Sequence, residues 1–151
     1  MIDFLKAANG RIPNLAGIKF TRRKIQHSWG RDEILFCALS LGATGAVGST
    51  YNYMPAIYQK VIAAFTDGDL ESARAHQYSA IQIIEVMIRH GGLSAAKAIM
   101  KMVGIDCGPV RMPLRNLTDT QITNLRSDLE KIGFPFVKSP LPIFHKGTSE
   151  Y

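Results

Sequence analysis

Long apolar runs are missing from this chain. No stretch approaches the ~20 consecutive apolar residues that a membrane-spanning helix needs, so no membrane partner is expected. The opening Met1-Ile2-Asp3-Phe4-Leu5-Lys6 has no basic segment leading into an apolar one, so no secretory signal is expected. Cysteine is scarce: Cys37 and Cys107 are the only two, and they form no C-x-x-C pair. That usage suits a reducing compartment, and a cytoplasmic location is expected. Cys37 lies in an apolar, helix-like run and is expected to be a small core residue. The histidines at 27, 76, 90 and 145 have no metal-ligand spacing, and no metal is expected. The net charge is +6, yet no stripe of lysine and arginine interleaves with aromatics; the one basic cluster is Arg22-Arg23-Lys24. Nucleic acid is therefore not the expected partner, and a solvated surface or attraction for an anionic metabolite explains the charge better. No internal repeat or low-complexity segment interrupts the chain.

At 151 residues, 46% of them hydrophobic and 20% charged, the chain is long enough for one domain with a real core. Residues 1–8 read as a helix end closed by Asn9-Gly10. Residues 15–20 read as a short buried strand and residues 24–29 as a second. Residues 32–41 read as a helix whose Asp32 and Glu33 suit the positive end of its dipole. The small, apolar residues 43–49 fit a buried strand approached closely by backbone or ligand.

The remainder reads as helical. Ile57, Val61, Ile62 and Phe65 make one apolar face. Leu70, Ala73, Gln77, Ile81, Ile84 and Ile88 keep the period of a long amphipathic helix up to Gly91-Gly92. Leu93, Ala96, Ile99 and Val103 make a shorter one. Thr118-Asp119-Thr120-Gln121 is a capping box with Leu117 and Ile122 as its hydrophobic staple, and that helix carries Leu125, Leu129 and Ile132 to a stop at Gly133. From Phe134 onward an extended or loose tail is expected.

Strands alternating with helices point to parallel α/β units. One junction does not fit. Thr21-Arg22-Arg23 is too short for a parallel crossover, which needs roughly a dozen residues, and it has no glycine or asparagine for a tight hairpin. Either the early strands pair antiparallel through a poor turn, or a crossover helix is lost.

Three stretches carry the chemistry. In Gly17-Ile18-Lys19-Phe20-Thr21 a lone cation sits in an apolar strand. Residue type alone favours a head that snorkels to water; burial would instead favour the neutral, nucleophilic amine needed to form a Schiff base with a ketone. In Trp29-Gly30-Arg31-Asp32-Glu33 two adjacent carboxylates follow a glycine. Neighbours on a helix diverge by ~100°, so the two cannot act as a paired acid on one face; they can accept hydrogen bonds from a polyol, or simply suit a helix start. In Gly45-Ala46-Val47-Gly48-Ser49-Thr50-Tyr51-Asn52-Tyr53, the hydroxyls of Ser49 and Thr50 can cap the next helix or touch a ligand.

Taken in order, these stretches resemble the N-acetylneuraminate lyase branch of the pyruvate-dependent class I aldolases, over residues 1 to about 135. The Asp-Glu pair and the Ser-Thr-Tyr-Asn ending favour the sialic acid lyases over the related dihydrodipicolinate synthases. Leu93-Ser94-Ala95-Ala96-Lys97-Ala98-Ile99-Met100 and Pro109-Val110-Arg111-Met112-Pro113-Leu114 look like the family's helical extension. The resemblance implies an α/β fold, the C-terminal part of a TIM (β/α)8 barrel, with strands six to eight followed by C-terminal helices and the barrel incomplete. Residues 1–53 would form the partial barrel with the Schiff-base lysine, 54–135 the barrel-closing helix and helical extension, and 136–151 a loose tail.

By the same resemblance Lys19 is the catalytic lysine on the sixth strand. Thr21, Gly30, Asp32, Glu33 and Ser49 bind substrate, Gly30 through its backbone. The implied reaction is reversible cleavage of N-acetylneuraminate to N-acetylmannosamine and pyruvate, without metal or organic cofactor. The implied partners are the small-molecule substrates, sialic acid and pyruvate, and a homo-oligomer, typically a tetramer.

The family's first five strands have no counterpart here, and no residue matches its Gly-Thr/Ser-Thr/Ser carboxylate-binding turn or its proton-transferring tyrosine; Tyr51 and Tyr53 belong to a different motif. A shortened lyase with little or no activity alone is therefore expected. A non-catalytic form that associates with complete lyase subunits is the alternative. A free-standing helical module with a coincidental lysine strand is disfavoured by three motifs in family order.

Overall fold

The computed structural model describes residues 28–136. The helix expected at 1–8, the lysine strand at 15–20, most of the strand at 24–29, His27, His145 and the tail past 136 lie outside the described residues.

A parallel pair of short strands opens the described chain. β1 (Ser28–Trp29) pairs with β2 (Gly45–Ala46) in the register Ser28 to Gly45 and Trp29 to Ala46. Between them a 3-10 turn (Asp32–Ile34) runs into α1 (Leu35–Ser40). This is the strand–helix–strand unit that the alternating pattern predicts. Its second strand is shorter than expected: residues 43–49 contribute two paired residues, extended by Val47 N–H donating to Trp29 O at 2.8 Å. The helix expected at 32–41 starts as a 3-10 turn, and the reason lies in a buried side chain of α3 described below.

After a second 3-10 turn (Thr50–Asn52) the chain is helical: α2 (Pro55–Thr66), α3 (Leu70–Arg89), α4 (Leu93–Met102) and α5 (Asp119–Lys131). Pro55 sits in the first turn of α2, where its missing N–H leaves no helical bond unmade. Asp69 caps α3, its Oδ1 accepting from Ser72 N–H at 3.0 Å. Gly91 and Gly92 end α3 with φ of 106° and 59°, a region other residues enter at a cost. The predicted capping box opens α5: Gln121 N–H donates to Thr118 Oγ1 at 3.3 Å and Thr118 N–H donates to Gln121 Oε1 at 2.9 Å.

The core lies among these helices. Tyr58 and Val61 of α2 meet Ile83, Ile84 and Val86 of α3, Ala95, Ala96 and Ile99 of α4, and Leu125 and Leu129 of α5, with Leu35 reaching in from α1. The turn at 67–69 folds α2 back so that its main partner is α3. Three expectations need correction. Cys37 is exposed rather than buried, because α1 turns Leu35 and Ala38 to the core instead. Ile62, Leu70, Ile88 and Leu93 continue the apolar stripes in sequence but lie at their exposed margins. Phe134 is buried, and its ring meets Phe136 edge-on at 4.9 Å while the Arg126 guanidinium lies 4.9 Å from the Phe136 ring centre, so the start of the tail is packed. Among the described residues no helix is long and apolar enough to cross a membrane.

Candidate active site

The C-terminal ends of β1 and β2 lie side by side, as parallel pairing requires, so the residues that follow them converge. Gly30, Arg31, Asp32 and Glu33 follow β1; Gly48, Ser49 and Thr50 follow β2. Together with Ile84, Met87 and Ile88 of α3 they line a cleft of about 240 Å³. In parallel α/β sheets this end of the strands is where ligands bind.

Asp32 is the centre of the cleft's polar wall. It is buried, at 7% exposure, and is not a simple helix-start charge. Its Oδ2 accepts two bonds from Thr50, from the backbone N–H at 3.2 Å and the Oγ1 hydroxyl at 2.5 Å. Thr50 Oγ1 also lies 2.7 Å from the Tyr58 hydroxyl. A threonine hydroxyl has one proton; with that proton directed at Asp32, Tyr58 is the donor to Thr50. Asp32 Oδ1 is buried without a hydrogen-bond partner among the described residues, and so is the Tyr51 hydroxyl.

The backbone around Asp32 is held from α3. Gln77 is buried; its Nε2 donates to Asp32 O at 3.1 Å and its Oε1 accepts from Phe36 N–H at 3.0 Å. Those two atoms are the i and i+4 partners of an ordinary helical turn. Gln77 bridges them in place of the direct bond, which is why the segment begins as a 3-10 turn. From the other side Gly48 comes so close that a Cβ there would overlap the Asp32 carboxylate.

Burial raises the Asp32 carboxyl above its ordinary pKa; the two Thr50 bonds pull it down and the neighbouring Glu33 charge pushes it up. The phenols of Tyr51, Tyr53 and Tyr58 are also pushed up, first by burial and then by the negative charge at Asp32, Tyr58 being partly offset by its bond to Thr50. All three rings therefore stay protonated, and Tyr53 and Tyr58 act as hydrogen-bond donors. Tyr53 donates to Met87 Sδ at 3.1 Å, and the Tyr51 and Tyr58 rings lie 4.1 Å apart.

The structure brings four of the six sequence-predicted site residues, Gly30, Asp32, Glu33 and Ser49, to one cleft. Lys19 and Thr21 lie outside the described residues. Thr50, Tyr58 and Gln77 belong to the site and were missed as site residues in the sequence. The sequence offers the Thr50 hydroxyl as a cap or a ligand contact, and no side-chain cap bond forms at this turn. Gln77 did leave a signal, as an amide inside an apolar stripe; Tyr58 left none. Among the described residues no cluster of three or more His, Cys, Asp or Glu side chains is arranged to hold a metal.

The sequence pattern of the dihydrodipicolinate synthetase family matches residues 3–132, most of the chain. The chain belongs to that family. Similar family members include N-acetylneuraminate lyase of Rattus norvegicus, 36% identical over 149 residues that cover 87% of this chain and 47% of that protein. The N-acetylneuraminate lyase of Mus musculus is 35% identical over 161 residues, 93% of this chain and 50% of that protein. Among solved structures, Proteus mirabilis N-acetylneuraminate lyase superposes with a TM-score of 0.73 at 32% identity, over 83% of this chain and 44% of that one. The chain thus spans about half the length of the curated relatives it matches, and its fold neighbours are TIM-barrel proteins of the dihydrodipicolinate synthetase type.

Proposed function

We propose that this chain carries the lysine and the sugar-binding side of an N-acetylneuraminate lyase-type aldolase site, with β1 and β2 as the seventh and eighth strands of the barrel and Lys19 on the sixth. The observation that carries the reading is the convergence of Gly30, Asp32, Glu33 and Ser49 at the C-terminal ends of two parallel strands. The N-acetylneuraminate lyases among its relatives supply the substrate class.

In this reading the neutral Lys19 amine attacks the keto carbon of open-chain N-acetylneuraminate. Loss of water leaves a protonated imine, which draws in the electron pair of the breaking carbon–carbon bond. The sugar hydroxyl passes its proton to water as it becomes the aldehyde of N-acetylmannosamine. The enamine is then reprotonated, and hydrolysis of the imine frees pyruvate and the lysine. The imine is its own electron sink, so the step needs no metal or organic cofactor. Thr21, the Gly30 backbone, Asp32, Glu33 and Ser49 hold the polyol. Asp32 and Glu33 suit that work because ionised carboxylates accept several hydrogen bonds each.

No residue matches the family's carboxylate-binding turn or its proton-transferring tyrosine. The 151-residue polypeptide alone is therefore expected to form the imine but to turn over poorly. Borohydride reduction in the presence of pyruvate should add a stable mass increment on Lys19 that the Lys19→Ala variant lacks. N-acetylneuraminate cleavage should fall far below that of a complete family enzyme. Absence of an adduct on Lys19 would overturn the assignment of the nucleophile, and cleavage at a full enzyme's rate would overturn the expected deficit.

A further inference from the structure

Asp32 is gripped more heavily than a sugar contact alone requires. Gln77 fixes its backbone by bridging Asp32 O and Phe36 N–H at 3.1 and 3.0 Å. Thr50 fixes its side chain with two bonds to one oxygen, Oδ2, and Tyr58 donates to Thr50 from behind at 2.7 Å. Gly48 closes on the carboxylate without a side chain. These partners come from the loop after β2, from α2 and from α3, so three segments of the chain hold one residue. Every side-chain bond falls on Oδ2. Oδ1 is buried against Gly48 and has no hydrogen-bond partner among the described residues.

We propose that Gln77, Thr50 and Tyr58 are positioning residues that clamp Asp32, Gln77 through its backbone and Thr50, backed by Tyr58, through Oδ2, and so hold its carboxylate where a hydroxyl of a polyol ligand meets it. The nature of the ligand rests on the lyase-type reading of the cleft; the clamp rests on the geometry of this chain. Thr50 is its key member, because it alone joins Asp32 to Tyr58. A hydroxyl at position 50 is essential and the threonine methyl is not.

Two readouts on the full 151-residue chain separate the clamp from the ligand. The first is the titration of the Asp32 side-chain carboxyl followed by carbon NMR; the second is binding of N-acetylmannosamine as the probe. Thr50→Val removes a bond that favours the charged carboxylate and should move the Asp32 titration upward. It should also weaken probe binding by roughly fivefold or more, as for loss of one hydrogen bond. Thr50→Ser should restore both values. Tyr58→Phe should give a smaller change in the same direction, and it keeps the test open if Thr50→Val does not fold. An Asp32 titration unmoved by Thr50→Val or Tyr58→Phe overturns the clamp, whatever the probe does. A titration that moves while binding stays constant overturns the positioning role. A wild-type chain that binds no probe, with the titration moving as expected, overturns the polyol reading of the cleft and leaves the clamp standing.

Discussion

Asp32 shows how a single buried residue trades stability for chemistry. Its carboxyl is raised above the ordinary 3.8 by burial, despite the Thr50 bonds. A raised folded-state pKa means that its contribution to stability is full below the unfolded value and is lost as pH rises through the folded one. Asp32→Asn should therefore stabilise the chain relative to wild type at neutral pH and lose that advantage in acid, while weakening sugar binding. Thermal melts at both pH values check this; a neutral-pH midpoint equal to or below wild type contradicts it. Gly48→Ala should cost about 1–3 kcal/mol in denaturant unfolding, since its methyl overlaps the Asp32 carboxylate. The candidate residues Gly30, Asp32, Glu33 and Ser49 were legible because Gly-x-Asp-Glu and Gly-Ser-Thr are compact motifs. Gln77 was not, because it meets Asp32 across 45 positions of sequence. Its one local signal, an amide inside an apolar stripe, does not name the partner it meets.

At the scale of elements, the helices could be read and the strands could not be delimited. Helices α2 to α5 follow local signals: periodic apolar positions, Pro55 at a start, Asp69 and Thr118 as caps, Gly91-Gly92 and Gly133 as stops. Thr118→Ala should remove the capping box and cost about 1 kcal/mol of stability, measurable by thermal unfolding. Strand extent depends instead on which partner lies alongside, and that is decided far away in sequence. The join between α3 and α5 carries its own acid response. Asp128 of α5 lies 2.8 Å from Lys131 and 3.0 Å from His90 at the end of α3. Its hydrogen bonds to Lys131 and then His90 lower its pKa from 3.8 to about 2. Stability from this group is thus present above 3.8 and is lost as pH falls through about 2. Asp128→Asn should lessen the acid sensitivity of unfolding without changing the cleft; an unchanged acid limb would contradict the assignment.

At the scale of the whole molecule, a helical core supports a cleft whose sheet has two short strands among the described residues. Leu41 and Val47, each 57% exposed, follow α1 and β2 with their apolar side chains uncovered, and Ile88 at 57% does the same on the cleft-lining helix. Exposed apolar side chains favour association. Light scattering across a concentration series should show reversible self-association of the 151-residue chain; a constant monomer mass would contradict this. The ends of β1 and β2 are proposed to form the sugar-binding side of an aldolase site. Titration of the isotope-labelled chain with N-acetylmannosamine tests it most directly. Saturable shifts of the amides of Gly30, Asp32, Glu33 and Ser49 are expected; no saturable shift, or shifts confined to residues outside the cleft, would contradict this proposal.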